Sequence, residues 1–376
     1  MLRALILALV LVAGCRSTRE PVVAPAQTQA TPSLTDALAI GSDRDARVAV
    51  DTQGGKKELL YLAGDLSEDE QDVLYQLAPN VRVLAKLSRE QALAHAAEAD
   101  GCDARFLSPE FLAKAKKLVW VQAQSAGVDR YASLTDLRAR TEIVFCNLRG
   151  VHGPAIADHV FAMVLALSRD LPSAWRAQAE ARWDGAESGR EPFALAGRTL
   201  LVVGLGGIGT EVARRAKGFE MRVLATRRSG TDAPPFVDRV ELADKLLELL
   251  PEADVVVLCV PLTPETTHLF DARAFAALKP GALLVNIARG KVVDTQALID
   301  ALKSKRLGGA ALDVTDPEPL PADHELWKLD GVLITPHVAA RSALTEERAN
   351  ALFRENLRRF GKGEPLLNVV DWKSGY

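Results

Sequence analysis

The segment Arg198-Thr-Leu-Leu-Val-Val-Gly-Leu-Gly-Gly-Ile-Gly209 constrains the fold of this chain more than any other stretch. Residues 199–203 are a short apolar run rich in β-branched side chains, the composition of a strand buried on both faces. Gly204, Gly206 and Gly209 follow at once in the spacing G-x-G-x-x-G, flanked by Leu205, Gly207 and Ile208. Residues 211–219 then have helical composition, with Val212, Ala213, Ala216 and Phe219 roughly on one face. A strand, a glycine turn and a helix start make a pyrophosphate site. The first glycine allows the tight turn, the second lets backbone approach phosphate, and the third lets helix pack on strand. The helix N-terminus adds unbonded N–H groups and the positive end of the dipole. Alone, the spacing also fits an ordinary glycine-rich turn; its flanks are what favour a dinucleotide fold.

The rest of the chain alternates in the same way. Before the turn, candidate strands lie at 47–50, 59–63, 81–84, 118–123 and 142–146. Between them Ser67 (with Glu70 at the capping-box position), Ser88 and Ser108-Pro109 read as helix starts. Residues 154–171 form a helix apolar on most sides, which predicts a buried connecting element. After the turn, strands are expected at 222–226, 254–259, 282–287, 309–313 and 332–335, with helices at 241–250 and from Asp294 to about Ser304. Strands alternating with helices over 376 residues predict an α/β protein of two doubly wound parallel-sheet domains. A formal net charge of −3 gives no electrostatic case for a nucleic-acid partner. Cys15, Cys102, Cys146 and Cys259 have neither metal-ligand spacing nor the density of a disulfide framework, so no metal is expected.

The N-terminus reads as a targeting segment. Arg3 supplies a positive start, and residues 5–13 are an apolar run too short to span a membrane comfortably. The sequence Leu11-Val-Ala-Gly-Cys15 resembles the lipobox of bacterial lipoproteins. That resemblance implies a signal peptide over 1–14, lipidation of Cys15, and delivery to the cell envelope by a lipid anchor. Residues 15–44, rich in Pro, Ala, Thr, Ser and Gln, read as a disordered tether. The competing reading is a mis-assigned start and a cytoplasmic protein, although the next methionine is Met163, inside the folded region.

Five motifs occur in order: Gly-Leu-Gly-Gly-Ile-Gly209, Pro-Leu-Thr-Pro-Glu-Thr266, Asn-Ile-Ala-Arg-Gly290, Ala-Leu-Asp-Val-Thr-Asp-Pro-Glu-Pro-Leu320 and Thr-Pro-His337. Together they resemble the D-isomer-specific 2-hydroxyacid dehydrogenases, over roughly residues 45–370. The resemblance implies a Rossmann nucleotide domain (151–337) inserted in a split, flavodoxin-like substrate domain (45–150 and 338–376), and a homodimer. It implies that Arg289, Glu318 and His337 are catalytic, and that Ser125, Ala126 and Gly127 bind the substrate carboxylate together with Arg289. It also implies that Val260, Pro261, Thr266, Ala288 and Asp313 join the glycine turn in binding the cofactor.

The chemistry suits these residue types. Arg289 offers a permanent charge and a planar fork for a keto acid. His337 offers an imidazole, the side chain suited to acid–base work, and Glu318 would orient its ring. Two departures matter. An NAD enzyme of this kind usually carries an acid after the second nucleotide-domain strand; here Arg227 and Arg228 stand there, which favours NADP while leaving NAD open. After His337 the chain reads Val-Ala-Ala-Arg-Ser342, where relatives often have a glycine-containing segment, so Ala340 and Arg341 would narrow or recharge the site mouth. The expected function is hydride transfer between NADP(H) and a small 2-keto or 2-hydroxy acid, D-specific. The runner-up is an envelope-anchored protein that keeps the fold and binds a ligand without turnover.

Overall fold

The structure is a computed structural model that describes residues 58–131, 133–183 and 191–372. The expected signal peptide, the tether, Cys15 and the strand at 47–50 lie outside the described residues. The chain builds two parallel sheets. The first contains β1 (Leu59–Leu62), β2 (Val81–Leu84), β3 (Gly101–Asp103), β4 (Trp120–Gln122) and β5 (Val144–Cys146), in the order β2-β1-β3-β4-β5. This is the flavodoxin-like order. The second contains β6 (Thr199–Val203), β7 (Arg222–Arg227), β8 (Arg239–Leu242), β9 (Val255–Leu258), β10 (Ala282–Asn286), β11 (Leu307–Leu312) and β12 (Val332–Ile334). Their order is β12-β11-β10-β9-β6-β7-β8, with the glycine turn following a central strand. The strand order reverses between β6 and β9, and ligands of such sheets bind at that crevice.

Local chemistry sets most boundaries. Ser88 accepts from the Gln91 N–H while the Gln91 side chain accepts from the Ser88 N–H, a complete capping box. Ser67 accepts from the Glu70 N–H at 3.1 Å, but the box stays half closed, because the Glu70 carboxylate turns to Arg354 (Nε at 2.8 Å). Ser108 caps the next helix, with Pro109 in its first turn. Two elements were misread. β3 was not anticipated: Gly-Cys-Asp is too short and too polar to read as a strand, although all three residues are buried. The helix expected at 241–250 begins instead as strand β8, since Arg-Val-Glu-Leu alternates with the strand period. Only Leu246–Leu249 is α-helical, and Pro251 in the following 3₁₀ turn blocks continuation.

Two helices join the halves. The apolar helix Gly153–Ser168 buries Val160, Phe161, Val164 and Leu167 in the core of the second sheet, and Phe161 stacks on Phe219 at 4.8 Å. It stops short of the expected end because Asp170 takes a left-handed conformation and starts the separate helix Leu171–Ala179. The helix Ala343–Lys362 returns to the first sheet. Its Phe353, Leu357 and Phe360 pack on Tyr61 and Trp120, with ring centroids 4.9 Å apart for Trp120 and Phe360. Burial of each such ring contributes roughly 2 kcal/mol. The second sheet unit is thus inserted between β5 and the closing helix of the first.

Candidate active site

At the glycine turn each glycine answers a different demand. Gly204 has φ +99°, a conformation that side chains other than glycine's rarely adopt, and a Cβ there would press on Val260 Cγ1 at 2.9 Å and the Cys259 carbonyl at 3.0 Å. A Cβ on Gly209 would stand 2.2 Å from the Gly204 carbonyl, so helix and turn meet only through glycine. At Gly206 a Cβ would meet no atom of the described residues within 4 Å. Protein packing therefore does not require glycine at 206, whereas close approach of a pyrophosphate does. The helix Gly207–Gly218 starts there without a side-chain cap, leaving its first N–H groups for an anion. These features fit a dinucleotide.

The surrounding residues close around the turn. The Gly204 and Leu205 N–H groups donate to the Thr226 carbonyl (3.2 and 2.9 Å), which seats the end of β7, and with it Arg227 and Arg228, beside the turn. Arg227 Nη1 donates to the Asp232 carbonyl at 3.0 Å. Leu205 is buried and Ile208 packs against the core. The Cys259 N–H donates to the Val203 carbonyl and brings Val260 and Pro261 against Gly204. Thr266 Oγ1 donates to the Pro261 carbonyl (2.6 Å) and accepts from the Thr263 N–H (2.8 Å), closing that loop. Burial pushes the Cys259 thiol up to about 12, so it stays protonated and acts as an apolar group.

Three strand ends of the same sheet carry the other predicted residues. After β10, Asn286 Oδ1 accepts from the Ala288 N–H and Nδ2 donates to the Arg289 carbonyl, both at 3.0 Å. This turn sends Arg289 across to the smaller domain. There its Nε and Nη2 donate to Asp129 Oδ1 (3.2 and 3.0 Å), and Nη1 donates to the Ala288 carbonyl (2.7 Å). A Cβ on Gly127 would lie 1.9 Å from Arg289 Nη2, so only glycine fits beneath the guanidinium. The structure brings Arg289 and the 125–127 loop together. Within the loop Ser125 Oγ donates to the Gly127 carbonyl at 2.8 Å.

Glu318 and His337 also meet. His337 Nδ1 and Glu318 Oε1 are 2.7 Å apart, and both side chains are partly exposed. A carboxylate on Nδ1 assigns the proton to that nitrogen and leaves Nε2 for exchange. His337 has φ +53°, a left-handed conformation costing roughly 1–3 kcal/mol in a non-glycine residue. Asp313 holds it there. Its main-chain carbonyl accepts from the His337 N–H (2.9 Å), Oδ1 accepts from Thr335 Oγ1 (2.7 Å) and the Val338 N–H (2.9 Å), and Oδ2 accepts from the Ala339 N–H (3.1 Å). From sequence Asp313 was expected among cofactor contacts; its bonds to residues 335–339 were not foreseen.

Sequence reasoning missed two further residues. His159, on the connecting helix, places Nε2 3.0 Å from Thr335 Oγ1 and so joins the Asp313 cluster. The available signal was an imidazole in a helix otherwise almost wholly apolar. Asp129, the acceptor for Arg289, follows Gly127 by two residues, and an acid so close to a substrate loop was its only mark. A groove of about 350 Å³ lined by Leu165, Phe193 and Phe219 opens at the opposite end of the second sheet and contains none of the predicted site residues.

Comparison with known proteins agrees with this geometry. The family model described as D-isomer specific 2-hydroxyacid dehydrogenase, NAD binding domain, matches residues 161–339. The chain is 39% identical over 272 residues to a glyoxylate reductase of Korarchaeum cryptofilum, covering 70% of this chain and 80% of that protein. It is 33% identical over 329 residues to a D-3-phosphoglycerate dehydrogenase of Archaeoglobus fulgidus, covering 84% of this chain but only 59% of that longer protein. Among solved structures, a D-isomer specific 2-hydroxyacid dehydrogenase from Xanthobacter autotrophicus, in complex with NADPH and MES, superposes with a TM-score of 0.72 at 31% identity, covering 85% of this chain and 100% of that one. The glycine turn, the facing Arg289 and 125–127 loop, and these likenesses converge: the chain belongs to the NAD(P)-dependent D-isomer-specific 2-hydroxyacid dehydrogenase family.

Proposed function

We propose that this chain reduces a small 2-keto acid to the D-2-hydroxy acid with NADPH. The observation that carries the reading is the His337–Glu318 pair on the same sheet edge as an arginine laid over Gly127. Arg289 and the N–H groups of the 125–127 loop hold the substrate carboxylate. His337 Nε2 delivers the proton to the carbonyl oxygen, while Glu318 fixes the ring through Nδ1 and stabilises the imidazolium. When bound, the dihydronicotinamide supplies the hydride to the carbonyl carbon. Glyoxylate is the first substrate to test, because the Korarchaeum relative is a glyoxylate reductase. Hydroxypyruvate and larger 2-keto acids complete the panel. Loss of NADPH absorbance with one of these acids is the expected result, and no consumption with any of them overturns the reading.

The preference for NADPH rests on Arg227 and Arg228 at the end of β7, with no acid between Leu224 and Ser229. It is also supported by the NADPH in the Xanthobacter relative. A guanidinium on the 2′-phosphate is a charge-assisted contact, so kcat/KM with NADPH should exceed that with NADH by about tenfold or more. Arg227→Ala should remove most of that ratio. A wild-type preference for NADH would sink the assignment.

We also propose export and lipid anchoring through Cys15, supported by Arg3, the apolar run 5–13 and the sequence Leu11-Val-Ala-Gly-Cys15. Cell fractionation decides this. Wild type should sediment with membranes and the Cys15→Ser variant should not; equal membrane association of the two refutes the anchor.

A further inference from the structure

The turn that leaves the smaller domain touches both halves of the site. β5 ends at Cys146, and Asn147 follows it fully buried. Its side chain bonds in two directions: Nδ2 donates to the Ala126 carbonyl at 2.8 Å, and Oδ1 accepts from the Arg149 N–H at 3.0 Å. Next to it the Leu148 N–H donates to the Ser125 carbonyl at 3.0 Å. Two consecutive carbonyls of the 125–127 loop are therefore tied to this turn.

The turn is itself held from two sides. Asn368, in a left-handed conformation at φ +57°, accepts from the Asn147 N–H through its main-chain carbonyl (3.1 Å). Its Nδ2 donates to the carbonyls of Asn147 (3.2 Å) and Arg149 (2.8 Å). Arg348, from the closing helix, donates to the Gly150 carbonyl at 3.0 Å. Gly150 then lies against the first residue of the phosphate-binding helix: a Cβ on Gly207 would be 3.5 Å from Gly150 Cα. Gly207 thus stands beside Gly150, and from there the chain through Arg149 and the two side-chain bonds of Asn147 lead to Ala126, next to Gly127 beneath Arg289.

We propose that Asn147 is a positioning residue for the keto acid, and that through the 147–150 turn the order of the 125–127 loop depends on the dinucleotide at Gly207. The proposal rests on reading the 125–127 loop and Arg289 as the substrate site. Asn147 does not touch substrate. It fixes the Ala126 carbonyl, and so the direction of the neighbouring N–H groups, before substrate arrives. A loop ordered in advance binds without the cost of ordering. Dinucleotide seated on the helix N-terminus at Gly207 restrains Gly150, and the two amide bonds of Asn147 carry that restraint to the loop.

Asn147→Asp is the informative variant, because it keeps an acceptor for the Arg149 N–H and sets an oxygen against the Ala126 carbonyl. The KM for glyoxylate should rise about tenfold, with kcat within about threefold and the Kd for NADPH within about twofold of wild type. In wild type, NADPH should slow hydrogen exchange at the amides of residues 125–128, and in the variant that protection should vanish. An unchanged KM, or exchange protection equal to wild type, overturns the proposal. So does a proportional loss of NADPH affinity, which a merely structural residue would give. If Asn147→Asp does not fold, Asn147→Ser is read by the same two measurements. Absence of wild-type turnover with every keto acid would refute the activity, while the exchange measurement would still decide the role of Asn147.

Discussion

His337→Asn lowers kcat for glyoxylate reduction by roughly two to four orders of magnitude, the usual worth of a positioned general acid. NADPH affinity should stay near wild type, because the glycine turn and the arginines beyond β7 are untouched. Asparagine keeps a donor near the position of Nδ1 and can still meet Glu318, which isolates the loss of the exchangeable proton from loss of the turn. The turn is independently held by Asp313, through four bonds to Thr335, His337, Val338 and Ala339. Steady-state kinetics with a parallel melting curve reads both effects. A variant that retains more than about a tenth of wild-type kcat shows that another group delivers the proton.

Arg289→Lys should lower kcat/KM by about a hundredfold, most of it in KM. The guanidinium is used as a fork: two nitrogens reach Asp129 and the third returns to the Ala288 carbonyl. A lysine carries the charge but has no fork, and its flexible stem is not steered by Gly127. The Arg289–Asp129 pair is partly exposed, 29% and 38% by side chain, so it is worth at most about 1 kcal/mol and yields readily to a substrate carboxylate. Melting temperature should therefore hardly move. A change of less than about threefold in kcat/KM would show that the carboxylate is held by the loop alone.

Whatever is encoded by neighbours along the chain was legible. The apolar run of β6, the glycines after it and the serine caps at 67, 88 and 108 each state a local physical demand. So do the strand ends that deliver Arg289 and His337. What escaped is encoded by distance. Glu70 was expected to close its own capping box, but a buried carboxylate takes the better partner, and Arg354 arrives from the far end of the chain. Asp129 and His159 look ordinary until the fold sets Arg289 and Thr335 beside them. β3 and β8 failed for another reason. Short strands at Gly101–Asp103 and Arg239–Leu242 draw their stability from neighbouring strands; the first has no strand composition, and the alternation of the second is only four residues long.

The closing helix Ala343–Lys362 also sets a timetable for synthesis. Tyr61 and Trp120 are translated early, yet the Phe353, Leu357 and Phe360 that cover them emerge only after the whole nucleotide-binding unit has been made. Until then the first sheet presents a wide aromatic face to solvent and to any other nascent chain. The inserted unit has all its strands by Ile334 and can form around β6 first, serving as a template that brings the two ends of the smaller domain within reach of each other. A released chain ending shortly before residue 343 would hold all seven strands of the nucleotide-binding sheet joined to an unfinished partner.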